Sequence, residues 1–180
     1  VKIVMNCEVT PELIKEEKPD SVIIATGSKT LILPIEGIDN PAIIHGSDLL
    51  DGKRAAGKKV LVVGGGMVGC ETAAFLGEQE HDVTVIEFRD TVGADVIHEH
   101  RVYLMKDFED YGIKEITGAK VCKFYEDGVE YETADGVRHE SRGYDSVILS
   151  MGFRNYNPLE EKIKDLVPET HVIGDAIRAR

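Results

Sequence analysis

From Lys59 to Glu71 the chain reads Lys-Val-Leu-Val-Val-Gly-Gly-Gly-Met-Val-Gly-Cys-Glu. A β-branched run stops on glycines and passes into a helix-forming stretch. Gly64, Gly66 and Gly69 have the spacing G-x-G-x-x-G. In a strand–turn–helix unit each glycine has its own reason. Gly64 permits the tight turn out of the strand, Gly66 lets a pyrophosphate approach the backbone, and Gly69 lets the helix pack closely on the strand. The helix start then offers free N–H groups and a partial positive charge to phosphates.

The spacing alone is a weak signal, and its context narrows it. A strand at 60–63 precedes it, a helix at 67–77 follows, and Asp82-Val-Thr-Val-Ile-Glu87 reads as a second strand ending in an acid. Glu87 lies 18 residues after Gly69, close to the ~20 expected of a carboxylate that holds an adenosine ribose. A carboxylate there accepts from the 2′-hydroxyl and repels a 2′-phosphate, which favours NADH over NADPH. Arg89 pulls the other way, because a guanidinium can pair with a 2′-phosphate. A glycine-rich turn that binds nothing is the competing reading.

The chain has 180 residues, enough for one sizeable core. Its net charge of −12 argues against a nucleic acid or an anionic membrane surface as partner. No apolar run approaches the roughly 20 residues needed to span a bilayer, and no signal peptide is visible. The expected compartment is the cytoplasm. Cys7, Cys70 and Cys122 form neither a C-x-x-C pair nor a zinc pattern. Cys70 falls in the first turn of the glycine-led helix, where a thiol pKa can be lowered; a small buried packing residue is the plainer reading. The chain opens at Val1 into what reads as a strand, Lys2–Met5, and closes in a strand that runs into a turn. It therefore reads as a piece of a larger protein.

Along the chain, Thr10 is placed to cap a short acidic helix over Pro11–Glu17, and Asp20-Ser-Val-Ile-Ile-Ala-Thr-Gly27 reads as a buried strand. Residues 31–57 hold prolines and glycines and read as a crossing linker, with a short helical piece near Ser47–Leu50 capped by Ser47. Residues 95–111 suit an amphipathic helix with Val102, Met105, Phe108 and Tyr111 among its apolar positions. Lys120–Tyr125, Gly128–Thr133 and Val137–Glu140 are short and separated by Asp127-Gly128 and Asp135-Gly136, which predicts an antiparallel meander. A buried strand follows at Tyr144–Gly152, then a short helix near Leu159–Leu166 and a final strand at His171–Ile173.

Two segments echo each other. Asp20–Gly27 and Asp145-Ser-Val-Ile-Leu-Ser-Met-Gly152 share Asp-Ser-Val-Ile, an apolar residue, a small residue and a closing glycine. Each looks like the last strand of a nucleotide-binding domain, with the glycine where backbone passes a cofactor; two buried strands that simply end in glycine are the alternative.

The order Ala25-Thr26-Gly27, Gly64-x-Gly66-x-x-Gly69-x-Glu71, Glu87, Met151-Gly152 and Ile173-Gly174-Asp175 resembles the flavoproteins with two dinucleotide domains, such as the pyridine nucleotide–disulfide oxidoreductases. The phrases Val62–Ala73 and Val147–Arg154 are similar to the branch of 2-enoate reductase, 2,4-dienoyl-CoA reductase and trimethylamine dehydrogenase. The resemblance implies an α/β fold: a Rossmann-like, three-layer domain with a central parallel sheet and an antiparallel β-meander. It implies a remnant of a first FAD-domain segment at 1–30, a linker at 31–57, an inserted NAD(P)H domain at 58–153 and the start of a second FAD segment at 154–180. Gly64, Gly65, Gly66, Met67 and Val68 would line the pyrophosphate turn, with Gly69 beneath it. Glu87 would hold the ribose, with Arg89 beside it, and Gly152 would let the dinucleotide pass.

By the same resemblance Glu71 would lie near nicotinamide and flavin; a carboxylate satisfying the helix dipole is the alternative. Asp175 would meet FAD in a full-length protein but could not hold it in this chain alone. FMN and an iron–sulfur cluster would lie elsewhere in the parent flavoenzyme, whose remainder is the expected partner. Hydride would pass from NADH to FAD and onward to an activated C=C bond, the chain alone being inactive. The FAD domain's own glycine motif and a redox C-x-x-x-x-C are absent from this sequence, which counts against a disulfide reductase proper.

Other FAD-linked reductases such as an NADH oxidase, a non-catalytic nucleotide module and a stand-alone Rossmann dehydrogenase remain as alternatives. The meander and the lack of a Tyr-x-x-x-Lys or His site count against the last. His98 and His100 do not share a helix face, so a metal site there is not expected. His45 in the linker could approach a cofactor, but a surface or core histidine is the plainer reading. Tyr103, Phe108 and Tyr111 are expected to pack their helix.

Overall fold

A computed structural model describes residues 1–179. In chain order its elements are α1 (Pro11–Glu17), β1 (Ser21–Ile24), β2 (Ser28–Thr30), β3 (Ile44–His45), α2 (Gly46–Leu50), β4 (Lys59–Val63), α3 (Met67–Glu78), β5 (Asp82–Ile86), α4 (His98–Asp110), β6 (Lys114–Ile116), β7 (Lys120–Tyr125), β8 (Gly128–Glu132), β9 (Arg138–Arg142), β10 (Ser146–Leu149), β11 (Phe153–Asn155), α5 (Glu160–Ile163) and β12 (Glu169–Val172). They fall into two compact units: Ile32–Gly152, and Val1–Leu31 together with the segment from Phe153 onward.

In the larger unit a five-stranded sheet has the order β3-β10-β4-β5-β6, every pair parallel. Parallel strands need crossovers, and these cover both faces, so the strands are apolar on both sides. In β4, Val60 and Val62 join a core with Cys70, Ala73 and Leu76 of α3 and with Leu104 and Phe108 of α4. Leu61 and Val63 point the other way, into a core with Val121, Phe124 and Val129 of the meander. Strand alternation thus divides one apolar run between two layers, giving helices, sheet and meander in three. The fold is the expected Rossmann-like α/β arrangement.

The meander is β7-β8-β9, antiparallel throughout. Phe124 N–H donates to Glu36 O, and Ile35 and Ile38 pack on the meander-side core. Residues 32–57 are therefore built into this unit and do not form a free linker: Ile43, Ile44 and Leu49 are buried and β3 edges the sheet. The reason is that β3 is only two residues long, too short to show a period among prolines. Ser47 does not cap α2, whose N-cap is His45 with no side-chain cap bond.

Helix α4 begins at His98 and buries Leu104 and Phe108, while Val102 and Tyr103 are exposed and Tyr111 partly so. The expected apolar face is narrower than its composition suggested. Strand β6, three residues of which two are charged and exposed, has no apolar run to mark it in the sequence.

In the smaller unit β1 runs parallel to β12, and β2 pairs antiparallel with β11. Thr10 caps α1, accepting from Leu13 N–H. Ile14, Ile24, Leu159, Ile163 and Val167 form its core. Strand β1 is covered on one face only, leaving Ile23 65% exposed. Lys2–Met5 is not a strand: no neighbour among the described residues pairs with it, and Ile3, Val4 and Met5 are exposed.

Cys70 is fully buried against the helix-side core, and burial, with Asp95, Glu115 and Glu87 adding negative charge, pushes its thiol up to about 12. It is a packing residue and not an activated thiolate. At pH 8 a thiol reagent is expected to modify exposed Cys7 at once and Cys70 only after denaturant is added; stopped-flow labelling with peptide mapping checks this. A second expectation concerns Gly69, where a Cβ would lie 1.8 Å from Gly64 O. Gly69→Ala should lose about 2 kcal/mol in urea unfolding, since overpacking against backbone outweighs the ~1 kcal/mol gained in helix propensity.

Candidate functional site

The carboxyl ends of β4 and β10 meet at the glycine turn. Gly64 has φ +106°, and a Cβ on it would lie 2.3 Å from Ser150 O, so the turn closes directly against the end of β10. Gly64 N–H donates to Ile86 O and Ser150 N–H donates to Val63 O, tying three strand ends together. In α/β sheets this end of the strands is where ligands bind.

Helix α3 starts at Met67 with Gly66 as N-cap. No side chain caps it and its first turn holds no acid, so no group of the helix itself satisfies the first-turn N–H groups or offsets the dipole end. Met67 is exposed and Val68 half-buried on that turn.

Glu87 follows β5 and reaches back to the turn. Its Oε2 accepts from Gly65 N–H at 2.6 Å and its Oε1 from Arg89 N–H at 2.8 Å. Two backbone donors thus orient the carboxylate. A carboxylate offers about four lone-pair sites, so two remain for hydroxyl groups. Arg89 contributes its backbone to this arrangement, and the residue is exposed.

Gly152 ends the β10 segment at φ +96° with open space where a Cβ would stand, and Gly27 ends the echoing segment at φ +73°, equally open. The two segments therefore share a closing glycine of the same backbone sense, although β1 is covered on one face and β10 is fully buried. Beside β10, His45 Nδ1 and Ser150 Oγ are buried without a hydrogen-bond partner among the described residues. They stand at neighbouring positions, since Leu149 pairs with His45.

The structure thus brings together Gly64, Gly65, Gly66, Met67, Val68, Gly69, Glu87, Arg89 and Gly152 in one unit. Glu71 lies one turn further along α3 and does not serve the helix start. Its Oε1 is 3.3 Å from His100 Nε2. That pairing of α3 with α4 had no signal in the sequence, where His100 stood out only for its H-x-H spacing. Asp175 belongs to the smaller unit, where it accepts from Ser28 Oγ at 3.4 Å. Asp95, which carries no local motif, places its carboxylate over Gly66. Among the described residues no group of His, Cys, Asp and Glu is arranged to hold a metal ion, and no helix is long and apolar enough to cross a membrane.

Residues 3–170 match the family Pyridine nucleotide-disulphide oxidoreductase. Bilirubin reductase of Mediterraneibacter gnavus is 33% identical over 164 residues, covering 91% of this chain and 25% of that protein. Cinnamate reductase of Clostridium sporogenes is 30% identical over 179 residues, covering 98% of this chain and 26% of that protein. Among solved structures, 2-naphthoyl-CoA reductase in complex with 2-naphthoyl-CoA superposes with a TM-score of 0.89 at 32% identity, over 100% of this chain and 27% of that one. The chain therefore spans about a quarter of the length of these relatives. It belongs to the pyridine nucleotide–disulphide oxidoreductase family and is similar to the nucleotide-binding module of its enoate-reductase-like members.

Proposed function

We propose that this chain is the nicotinamide-dinucleotide site of a larger flavin-dependent oxidoreductase and that NADH is its ligand. The observation that carries the reading is the pairing of an uncapped helix start with a carboxylate already oriented by two backbone N–H groups. The first-turn N–H groups at Met67 and Val68 would hold the diphosphate over the bare backbone of Gly66, while Gly65 is buried with its N–H committed to Glu87. Glu87 would accept from the ribose hydroxyls with its remaining lone pairs. Bound NADH supplies a hydride, which this family passes to FAD. Gly152, open at the strand end, would let the nicotinamide half pass, and Glu71 would lie along its path.

In the parent protein we infer FAD held in part by Asp175, with FMN and an iron–sulfur cluster further along. The electrons would reduce an activated C=C bond of an unsaturated acid or thioester. Relatives named as reductases of cinnamate, bilirubin and 2-naphthoyl-CoA support that class of substrate. The remainder of the parent flavoenzyme would be the partner, and the cytoplasm the compartment. The chain alone would bind nucleotide without turning over substrate.

Calorimetric titration of the chain with NADH and NADPH tests the cofactor assignment. NADH is expected to bind at least tenfold more tightly, about 1.4 kcal/mol. Preference for NADPH would show that Arg89 outweighs Glu87. Glu87→Gln is expected to weaken NADH by roughly tenfold, since one charged acceptor contributes ~1.5–3 kcal/mol, and to narrow its margin over NADPH. An unchanged margin would remove Glu87 from the ribose.

A further inference from the structure

The glycine turn is flanked by a second carboxylate that the dinucleotide reading leaves without a role. A Cβ built on Gly66 would lie 3.0 Å from Asp95 Oδ2 and 3.4 Å from Asp95 Oδ1. The acid therefore lies over the backbone that a diphosphate must approach. Its position follows from the loop between β5 and α4. Val92 is fully buried and Val96 is 8% exposed, so both sides of Asp95 are anchored in the helix-side core. Gly93 N–H donates to Gly65 O at 2.7 Å, fastening the loop to the glycine turn itself. Arg101 Nη2 donates to Thr91 Oγ1 at 2.9 Å and to Val92 O at 3.2 Å, bracing the same loop from α4. The side chain of Asp95 is nonetheless exposed and free to rotate into water while its backbone stays in place.

Charge makes this placement consequential. A helix start carries roughly half a positive charge, whereas a carboxylate carries a full negative one. Buried Cys70, on the same helix turn, registers it: after desolvation, Asp95 is the foremost of the charges that raise its thiol. Glu87 stands on the other side of the turn, 3.0 Å from where a Gly65 Cβ would be. Two acids therefore face a site read as one for a diphosphate. Glu87 has a use there, because sugar hydroxyls donate to it. Asp95 has none toward phosphate except repulsion.

We propose that Asp95 is an intramolecular anion guarding the glycine turn. In the free protein its carboxylate covers Gly66 and turns aside for a diphosphate, so the turn rejects small phosphate-type anions and admits a ligand that is also held by its ribose on Glu87. The inference rests on the dinucleotide reading of the same turn.

The test compares the wild-type chain, Asp95→Asn and Asp95→Glu, each titrated with NADH and with inorganic pyrophosphate at low and at high salt. Asp95→Asn keeps the shape and removes the charge. It is expected to bind both ligands about fivefold or more tightly at low salt, the effect of one unit charge at contact distance in water. The gain should shrink as salt is raised, because the pair is solvent-exposed. Asp95→Glu restores the charge and should bind as the wild type does. Matching thermal melts confirm that all three are folded. Wild-type NADH binding that Asp95→Asn leaves equal or weakens overturns the guard and leaves the dinucleotide site standing. Failure of wild type and Asp95→Asn alike to bind NADH overturns both. Binding of either ligand by Asp95→Asn where wild type binds weakly or not at all supports the guard.

Discussion

The close approach of Gly69 to Gly64 is the contact on which the larger unit depends. A methyl group at Gly69 would lie 1.8 Å from the Gly64 carbonyl oxygen, so helix α3 can descend onto the turn only where no side chain exists. That descent aims the helix start at the carboxyl ends of β4 and β10. It also places Cys70, Ala73 and Leu76 on Val60 and Val62. The same two glycines therefore set the core on one face of the sheet and the polarity at its end. Stability and ligand geometry share one steric constraint here.

The sheet turns one local pattern into three layers. Because β4 is apolar at every position from Val60 to Val63, it accepts helices on one side and the meander on the other. The meander takes the place of the crossover helix that would otherwise precede β10. Its turns at Asp127-Gly128 and Asp135-Gly136 keep it short. Residues 32–57 are fastened to it through Phe124 and Glu36; Ile35, Ile38 and Ile43 add to that layer, Ile44 and Leu49 join the helix-side core, and β3 lies at the sheet edge.

Much of this was legible in the sequence where the signal is local. The glycine spacing, the acid after β5, the Asp-Gly turns and the echo between Asp20–Gly27 and Asp145–Gly152 each reflect a short-range constraint that one residue type satisfies. What was not legible depends on distant partners. Strand β3 is two residues long, so only its pairing with Ile148 and Leu149 identifies it. Lys2–Met5 has strand composition and no partner among the described residues. Val102 fits a helical period yet stays exposed, and Tyr111 lies against Gly77 of α3 while much of its ring stays exposed. In the site, Glu87 was visible by spacing. Asp95 was not, because its place over Gly66 is set by Val92 and Val96 packing into a core some way along the chain, and Glu71's pairing with His100 requires knowing how α3 and α4 cross.

The measurement that most directly tests the glycine turn as the nucleotide site is an amide NMR titration of the chain with NADH. The account predicts that shifts concentrate at Gly64–Gly69, at Glu87–Asp95 and near Gly152, with the meander strands β7, β8 and β9 unmoved. Saturable shifts confined to the meander or to the smaller unit, with the Gly65 and Gly66 amides unchanged, would contradict it.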